Sequence, residues 1–278
     1  MVWVHLIFNL SPPSRAVLGR LTALSRLTVV LAVSTISGCD IGRLILTADP
    51  WDPPPAPAIA GEPLPRDPCT HVVEERQPLF GDLHLHTSLS MDANSLGTRT
   101  LPDDAYAFAT GTPIALYGGA PGTESKTIQI DRPLDFAAVT DHAEWMAEVS
   151  LCTTSGSWSY DSTGCAIYRG EEESLLAKAL GAKGFRARIG GLIQIGGRRE
   201  DVCGEDLAAC RKALGNVWQS VQASAEHGCD RPSDCSFTTF HAWEYSRSPQ
   251  STKIHRNVIL RNEIVPELPI SALETPIE

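Results

Sequence analysis

The sequence predicts an α/β protein in which the strands form a parallel, barrel-like sheet. Short apolar runs, which we interpret as strands, alternate with segments of helical periodicity, and this favours parallel strands joined by helices over a sandwich. Histidine and carboxylate residues lie on or directly after those runs, where α/β barrels carry their chemistry. The chain of 278 residues is long enough for one large packed domain or two small ones.

Residues 1–39 are predicted to be a lipoprotein signal peptide and are excluded from the fold. A positively charged region precedes an apolar run at residues 27–36, which is too short to be a stable membrane anchor. The residues that end at Cys39 resemble a bacterial lipobox, so we expect Cys39 to be lipidated. This predicts a membrane-tethered protein in the bacterial cell envelope, facing the periplasm or the exterior. The alternative is an ordinary cleavage site in which Cys39 is incidental.

Residues 40–68 are predicted to form a proline-rich tether, and residues 69–278 a folded domain. Three consecutive prolines begin at Pro53, and such segments are semi-rigid with polyproline character. The net charge of −10 comes without a basic cluster in the domain. We therefore expect no nucleic-acid partner, because binding to phosphates needs clustered Lys and Arg.

The cysteines of the domain agree with export to an oxidising compartment. They contain no Cys-x-x-Cys pair, so a thiolate zinc site is not indicated. Their spacing favours three short-range disulfides, although spacing does not fix the connectivity. The candidate pairs are Cys152–Cys165, Cys203–Cys210 and Cys229–Cys235, with Cys69 left without a partner.

The first predicted strand is the alternating run from Asp82 to His86, which we expect to be buried and to continue into a polar loop. Side chains alternate between the faces of a strand, so His84 and His86 should project from the same face. Two adjacent imidazoles are costly to bury without partners. They are therefore either hydrogen-bonded core residues or ligands of a divalent metal.

The remaining elements follow from apolar periodicity and from helix stop signals. The predicted order is a helix over 102–109 that stops at Gly111, a turn at 118–122, a short strand over 125–130, a buried strand over 135–142, an irregular loop over 151–169, a helix over 171–180, a long helix over 206–227, and strands over 237–246 and 255–261. The long helix carries an apolar stripe that we interpret as core packing: Leu207, Cys210, Leu214, Val217, Val221 and Ala225.

The polar residues of the strands define one candidate metal site, made of His84, His86, Asp92, His142, Glu244 and His255. Imidazole and carboxylate together suit Zn, Mn or Fe, and a carboxylate can bridge two ions. Two bridged ions acidify a bound water and hold the attacking and leaving oxygens of a phosphoester. Two further acids, Asp82 and Asp141, could orient the metal ligands by hydrogen bonds to them. Alternatively, Asp82 makes a hydrogen bond at the start of the strand and Asp141 is a cap.

This arrangement resembles the PHP (polymerase and histidinol phosphatase) superfamily, through the residues 84–87 (His-Leu-His-Thr), Asp92, 140–142 (Thr-Asp-His) and Glu244. More narrowly, several segments resemble a bacterial domain family of unknown function, DUF3604; they are residues 80–93, 102–111, 132–144, 237–246 and 255–261. The superfamily resemblance implies a distorted seven-stranded β/α barrel with two or three divalent ions, in which a metal-bound hydroxide hydrolyses phosphoesters.

The same resemblance implies a role for each ligand. His84 and His86 would hold the first ion, and Glu244 would bridge the first and second. Asp92 and His142 occupy the positions of a third-ion site, and His255 that of a second-ion ligand. The superfamily also has a further histidine and a late Asp-x-His pair, and neither follows His255. We therefore expect the chain to be the N-terminal part of a longer protein, with an incomplete barrel of PHP type.

The sequence thus predicts an exported, membrane-tethered, metal-dependent hydrolase that acts on small phosphoesters. A serine hydrolase is not indicated, because the chain has no Gly-x-Ser-x-Gly motif and the serines near the ligands lack a separate base. Two alternatives remain: a non-catalytic lipoprotein that keeps part of a metal site, and a surface interaction protein whose histidines are structural.

Overall fold

The computed structural model of the chain describes residues 62–63, 69–70, 74–116, 126–194, 197–229, 235–247 and 252–273. The predicted signal peptide with Cys39, most of the tether and the predicted turn at 118–122 lie outside the described residues. Within the described part of the chain, no helix is long and apolar enough to cross a membrane.

Helices and strands alternate through the described chain. The strands are β1 (Gly81–Leu85), β2 (Ile114–Ala115), β3 (Thr127–Ile128), β4 (Phe136–Val139), β5 (Ile193–Gln194), β6 (Gly197–Arg198), β7 (Thr238–Thr239), β8 (His241–Arg247) and β9 (Ile254–Leu260). The helices are α1 (Met91–Leu96), α2 (Pro102–Ala109), α3 (Met146–Thr153), α4 (Thr163–Arg169), α5 (Leu175–Leu180), α6 (Phe185–Ile189), α7 (Glu200–Cys203) and α8 (Ala208–Gly228).

A parallel sheet in the order β1–β4–β7 forms the centre of the fold. A parallel bridge from His142 to Glu244 extends the contact beyond β4 onto β8. Only glycine fits at position 81 of β1, because the Cβ of any other residue would lie 2.3 Å from the carbonyl oxygen of Phe136. Because β1 and β4 are parallel neighbours and the bridge joins the end of β4 to β8, the carboxyl ends of β1 and β4 meet beside β8. This mixture of helices around a parallel sheet agrees with the predicted α/β class, and the described strands do not form a closed barrel.

Two strand predictions need correction. β1 is not buried, since Leu83 is 37% exposed on the outer edge of the sheet. The predicted strand over 237–246 is two strands, β7 and β8, which are interrupted at Phe240. β8 then pairs antiparallel with β9 over its whole length, because the connection between them is too short for the crossover that parallel strands need.

The irregular loop predicted over 151–169 is shorter than expected: α3 extends through Thr153 and α4 begins at Thr163, so only residues 154–162 are irregular. The Ser162 side chain caps α4 by accepting a hydrogen bond from the backbone N–H of Cys165. The two helices bury Cys152 and Cys165, which form a disulfide. Packing and this cross-link decide the structure of a segment whose serine, threonine and glycine content suggests a loop.

Helix α8 packs one face into the core, and every residue of the predicted apolar stripe is buried, including Leu207 directly before the helix. Trp218 is the largest fully buried side chain of the described residues. Its ring meets Trp243 of β8 edge to face, with 5.5 Å between centroids, and its Nε1 donates to the carbonyl oxygen of Pro266 at 2.9 Å. Helix α8 thereby packs against both the β8–β9 pair and the segment that follows β9.

Three disulfides are present in the described residues, and two of them confirm the prediction: Cys152–Cys165 and Cys203–Cys210. The third prediction is wrong, because Cys235 pairs with Cys69 and leaves Cys229 as a free thiol. The fold brings Cys69 to Cys235 across 166 residues of chain, a proximity that spacing in the sequence does not reveal.

Candidate metal centre

The structure brings the six predicted ligands into one cluster, which is built from β1, β8, β9 and the segments that follow β1 and β4. They form three overlapping groups in which the ligand atoms lie within 4.8 Å of one another. The groups are His84–His86–Glu244, His86–Asp92–His142, and His142–Glu244–His255. Each group combines imidazole nitrogen with carboxylate oxygen, which is a donor set that Zn, Mn and Fe accept.

Glu244 lies at the centre of this cluster and is fully buried. Its Oε2 is 3.0 Å from Nε2 of His84 and 2.8 Å from Nε2 of His86. Its Oε1 contacts Nδ1 of His255 and lies 3.8 Å from Nδ1 of His142. The two oxygens thus face two different groups, which is the geometry of a carboxylate that can bridge two ions.

Asp92 lies in the first turn of α1 and faces two histidines. Its Oδ2 is 3.1 Å from Nδ1 of His86 and 3.6 Å from Nε2 of His142, while Ser90 donates its hydroxyl proton to Oδ1 at 2.6 Å. His86 therefore presents one ring nitrogen to Glu244 and the other to Asp92. A metal-ligating histidine commonly donates a hydrogen bond from its second ring nitrogen to a carboxylate. Asp92 fits that role beside His86, and it also fits the role of a ligand beside His142.

The carboxylates keep the neighbouring histidines charged in the absence of an ion. Burial opposes the charge on His86, but hydrogen bonds to Asp92 and Glu244 outweigh it and raise its pKa to about 9. Burial also opposes the charge on His142, but Asp92 and Glu144 raise its pKa to about 10. The same contacts overcome burial and hold the pKa of Asp92 and of Glu244 well below the usual range.

The two supporting acids have different environments. Asp82 accepts a hydrogen bond from the backbone N–H of His84 at 2.9 Å, which agrees with the strand-start alternative. Asp141 is 1% exposed and accepts hydrogen bonds from both the backbone N–H and the hydroxyl of Thr87. Burial raises the pKa of Asp141 to about 6 despite these bonds. Asp141 therefore ties the end of β4 to the residue that follows His86.

Two residues of the centre are missing from the sequence-based set. Ser246 places its Oγ 2.8 Å from Oε1 of Glu244 and 3.1 Å from Nδ1 of both His142 and His255. Glu144 places Oε2 at 3.6 Å from Nδ1 of His142. Ser246 follows Glu244 by two residues on β8, so the same-face spacing used for His84 and His86 could have identified it, whereas Glu144 lies outside the strands and that spacing does not apply to it.

The centre is buried at Glu244 and open at its rim. The side chains of His84 and His255 are 56% and 50% exposed, whereas that of Glu244 is 0% exposed. A small solute can therefore approach the two rim histidines while the bridging carboxylate stays in the interior. The donor types, their separations and this access fit a centre for divalent ions.

The raised histidine pKa values predict a stability that depends on pH in the metal-free protein. Folded pKa values of about 9 for His86 and about 10 for His142 exceed the ordinary value of 6.5. The stabilisation is therefore fully present below pH 6.5 and is lost as the pH rises through 9 to 10. Allowing for solvent screening, we expect a loss of about 2 kcal/mol, or about 4–8 °C in Tm.

Thermal unfolding in a chelator, followed from about pH 6 to about pH 10, checks this expectation. Zn or Mn should reverse the trend, since ions bind the deprotonated rings and gain affinity as the pH rises. A Tm that stays level or rises across this window in the chelator would contradict the assignment of the two charged rings.

Comparison with known proteins gives one match. No curated protein and no solved structure matches the chain. Residues 73–277 match the family described as Protein of unknown function (DUF3604). This match covers well over half of the chain and includes all six candidate ligands. The chain therefore belongs to the DUF3604 family.

Proposed function

We propose that the chain is a metal-dependent hydrolase of phosphoesters. The observation that carries the proposal is the convergence of four histidines on the buried carboxylate of Glu244, with Asp92 facing two of those histidines. Strongly perturbed ionisable groups gather at functional sites, and here the pKa values of His86 and His142 are raised while those of Asp92 and Glu244 are lowered.

Each side chain has a distinct task in this proposal. His84 and His86 hold one side of the centre, His255 holds the other, and Glu244 joins the two sides, while Asp92 and His142 form a third position beside His86. Bound ions would supply acidification of water and stabilisation of negative charge on phosphoryl oxygens. The half-exposed rings of His84 and His255 leave room for a small phosphoester.

We also propose a PHP-type architecture and an exported, lipid-anchored location. The parallel order β1–β4–β7, with ligands beyond the carboxyl ends of β1 and β4, supports the first proposal. Three disulfides among the described residues support an oxidising compartment such as the periplasm or the exterior. Lipidation at Cys39 would hold the protein at the membrane of the cell envelope.

The test uses the purified full chain, loaded separately with Zn, Mn and Fe. We expect bound metal by elemental analysis, and turnover of p-nitrophenyl phosphate or bis(p-nitrophenyl) phosphate that a chelator removes and added metal restores. Stoichiometric metal without turnover of either ester would instead favour a non-catalytic metal-binding module. A protein that binds no metal would show that the histidines are structural.

A further inference from the structure

We propose that Glu144 is a positioning residue that assigns the two ring nitrogens of His142. It holds Nδ1 as an N–H group and leaves Nε2 to bind an ion on the side of Asp92. This inference rests on the proposed metal centre and adds to it the orientation of one ligand. It also predicts which of the overlapping groups His142 serves.

The carboxylate of Glu144 is fixed in place by the backbone. It is 3% exposed, and its Oε1 accepts hydrogen bonds from the N–H groups of Ser246 and Ala272, each at 3.0 Å. Its Oε2 is a buried oxygen without a hydrogen-bond partner among the described residues, and it faces Nδ1 of His142 at 3.6 Å. A buried carboxylate oxygen needs a donor, and the Nδ1–H of His142 is the group that a small ring rotation brings into range.

The polar atoms that face Nδ1 of His142 can each accept a hydrogen bond from it. Besides Glu144, Nδ1 faces the hydroxyl of Ser246 at 3.1 Å and Oε1 of Glu244 at 3.8 Å. The Ser246 hydroxyl can donate its own proton to Glu244 at 2.8 Å, which leaves its lone pairs for the histidine. These acceptors favour a protonated Nδ1.

The opposite nitrogen of His142 has a different environment. Nε2 lies 3.6 Å from Oδ2 of Asp92, an oxygen that also faces Nδ1 of His86 at 3.1 Å, and the centroids of the His86 and His142 rings are 4.8 Å apart. A neutral imidazole gives one nitrogen to a metal and keeps a proton on the other. His142 therefore belongs to the His86–Asp92–His142 group, and His255 faces Glu244 without it.

The experiment records the ring ¹⁵N resonances of the histidines in the zinc-loaded full chain by NMR, because coordinated and protonated nitrogens have different shifts. We expect Nε2 of His142 to be coordinated and Nδ1 to be protonated. In Glu144→Gln the amide oxygen can still accept from Ser246 and Ala272, but the negative charge is absent. This variant should show coordination through Nδ1 in part of the molecules, or zinc affinity at His142 reduced about 10–100-fold.

Glu226→Gln is the matched control, since Oε1 of Glu226 lies 2.9 Å from Nε2 of His241, another buried histidine outside the centre. It should leave His142 and the zinc content unchanged. Coordination of His142 through Nδ1 in the unaltered protein overturns this inference while the metal centre stands, and this measurement needs no variant to fold. An unchanged ring pattern and affinity in Glu144→Gln also overturns it. Absence of zinc from every ring overturns the proposed function instead.

Discussion

Replacement of Glu244 by glutamine is expected to abolish the proposed hydrolysis and to reduce metal affinity by more than about 100-fold. That figure is the upper end for loss of groups that only support metal ligands, and Glu244 is placed as a ligand itself. Its Oε2 faces His84 and His86, and its Oε1 faces His255. An amide offers one oxygen and no charge, so it cannot join the two sides of the centre.

Metal titration by calorimetry and elemental analysis of the dialysed protein measure this effect. Glu171→Gln is a suitable control, because Glu171 is an exposed acid whose contact is the surface pair with Arg169. The control should bind metal like the unaltered protein. Full metal content with undiminished turnover in Glu244→Gln would remove Glu244 from the centre and, with it, the proposed bridging geometry.

Trp218→Ala is expected to lower the free energy of unfolding by about 3–5 kcal/mol, the usual cost of truncating a buried tryptophan. The side chain is 0% exposed and packs on Trp243 of β8. Its loss also leaves the carbonyl oxygen of Pro266 without the indole donor. Since β8 carries Glu244, we expect weaker metal binding as a secondary effect.

Denaturant unfolding, followed by circular dichroism in a chelator, measures the stability change of Trp218→Ala. Trp158→Ala is the matched control, because Trp158 is 64% exposed and its truncation should change the free energy of unfolding by no more than about 0.5 kcal/mol. Equal stability of the two variants would show that Trp218 does not anchor the core.

The placement of His84 and His86 beside each other could be predicted because its evidence is local. His84 and His86 share a face through strand alternation, and both contact Oε2 of Glu244 as a result. The contribution of Glu144 depends instead on the position of Oε2 beside His142 after β4 and β8 have come together. Nothing in the local sequence distinguishes that acid from a solvated one.

The fold shows the same division between local and tertiary evidence. The apolar stripe of α8 has helical spacing, so its burial follows from the sequence. α3 and α4 have little such spacing, and the packing around Cys152 and Cys165 determines them. The outer exposure of β1 could not be predicted either, because it depends on the place of that strand in the sheet order.

The bond between Cys69 and Cys235 has a consequence for the order in which the protein matures. Synthesis produces Cys69 first, and its correct partner follows 166 residues later, after five other thiols have become available: Cys152, Cys165, Cys203, Cys210 and Cys229. Early oxidation can therefore trap Cys69 with the wrong sulfur. Maturation should then be limited by reshuffling of mispaired sulfurs, a process of seconds to hours that a disulfide isomerase accelerates.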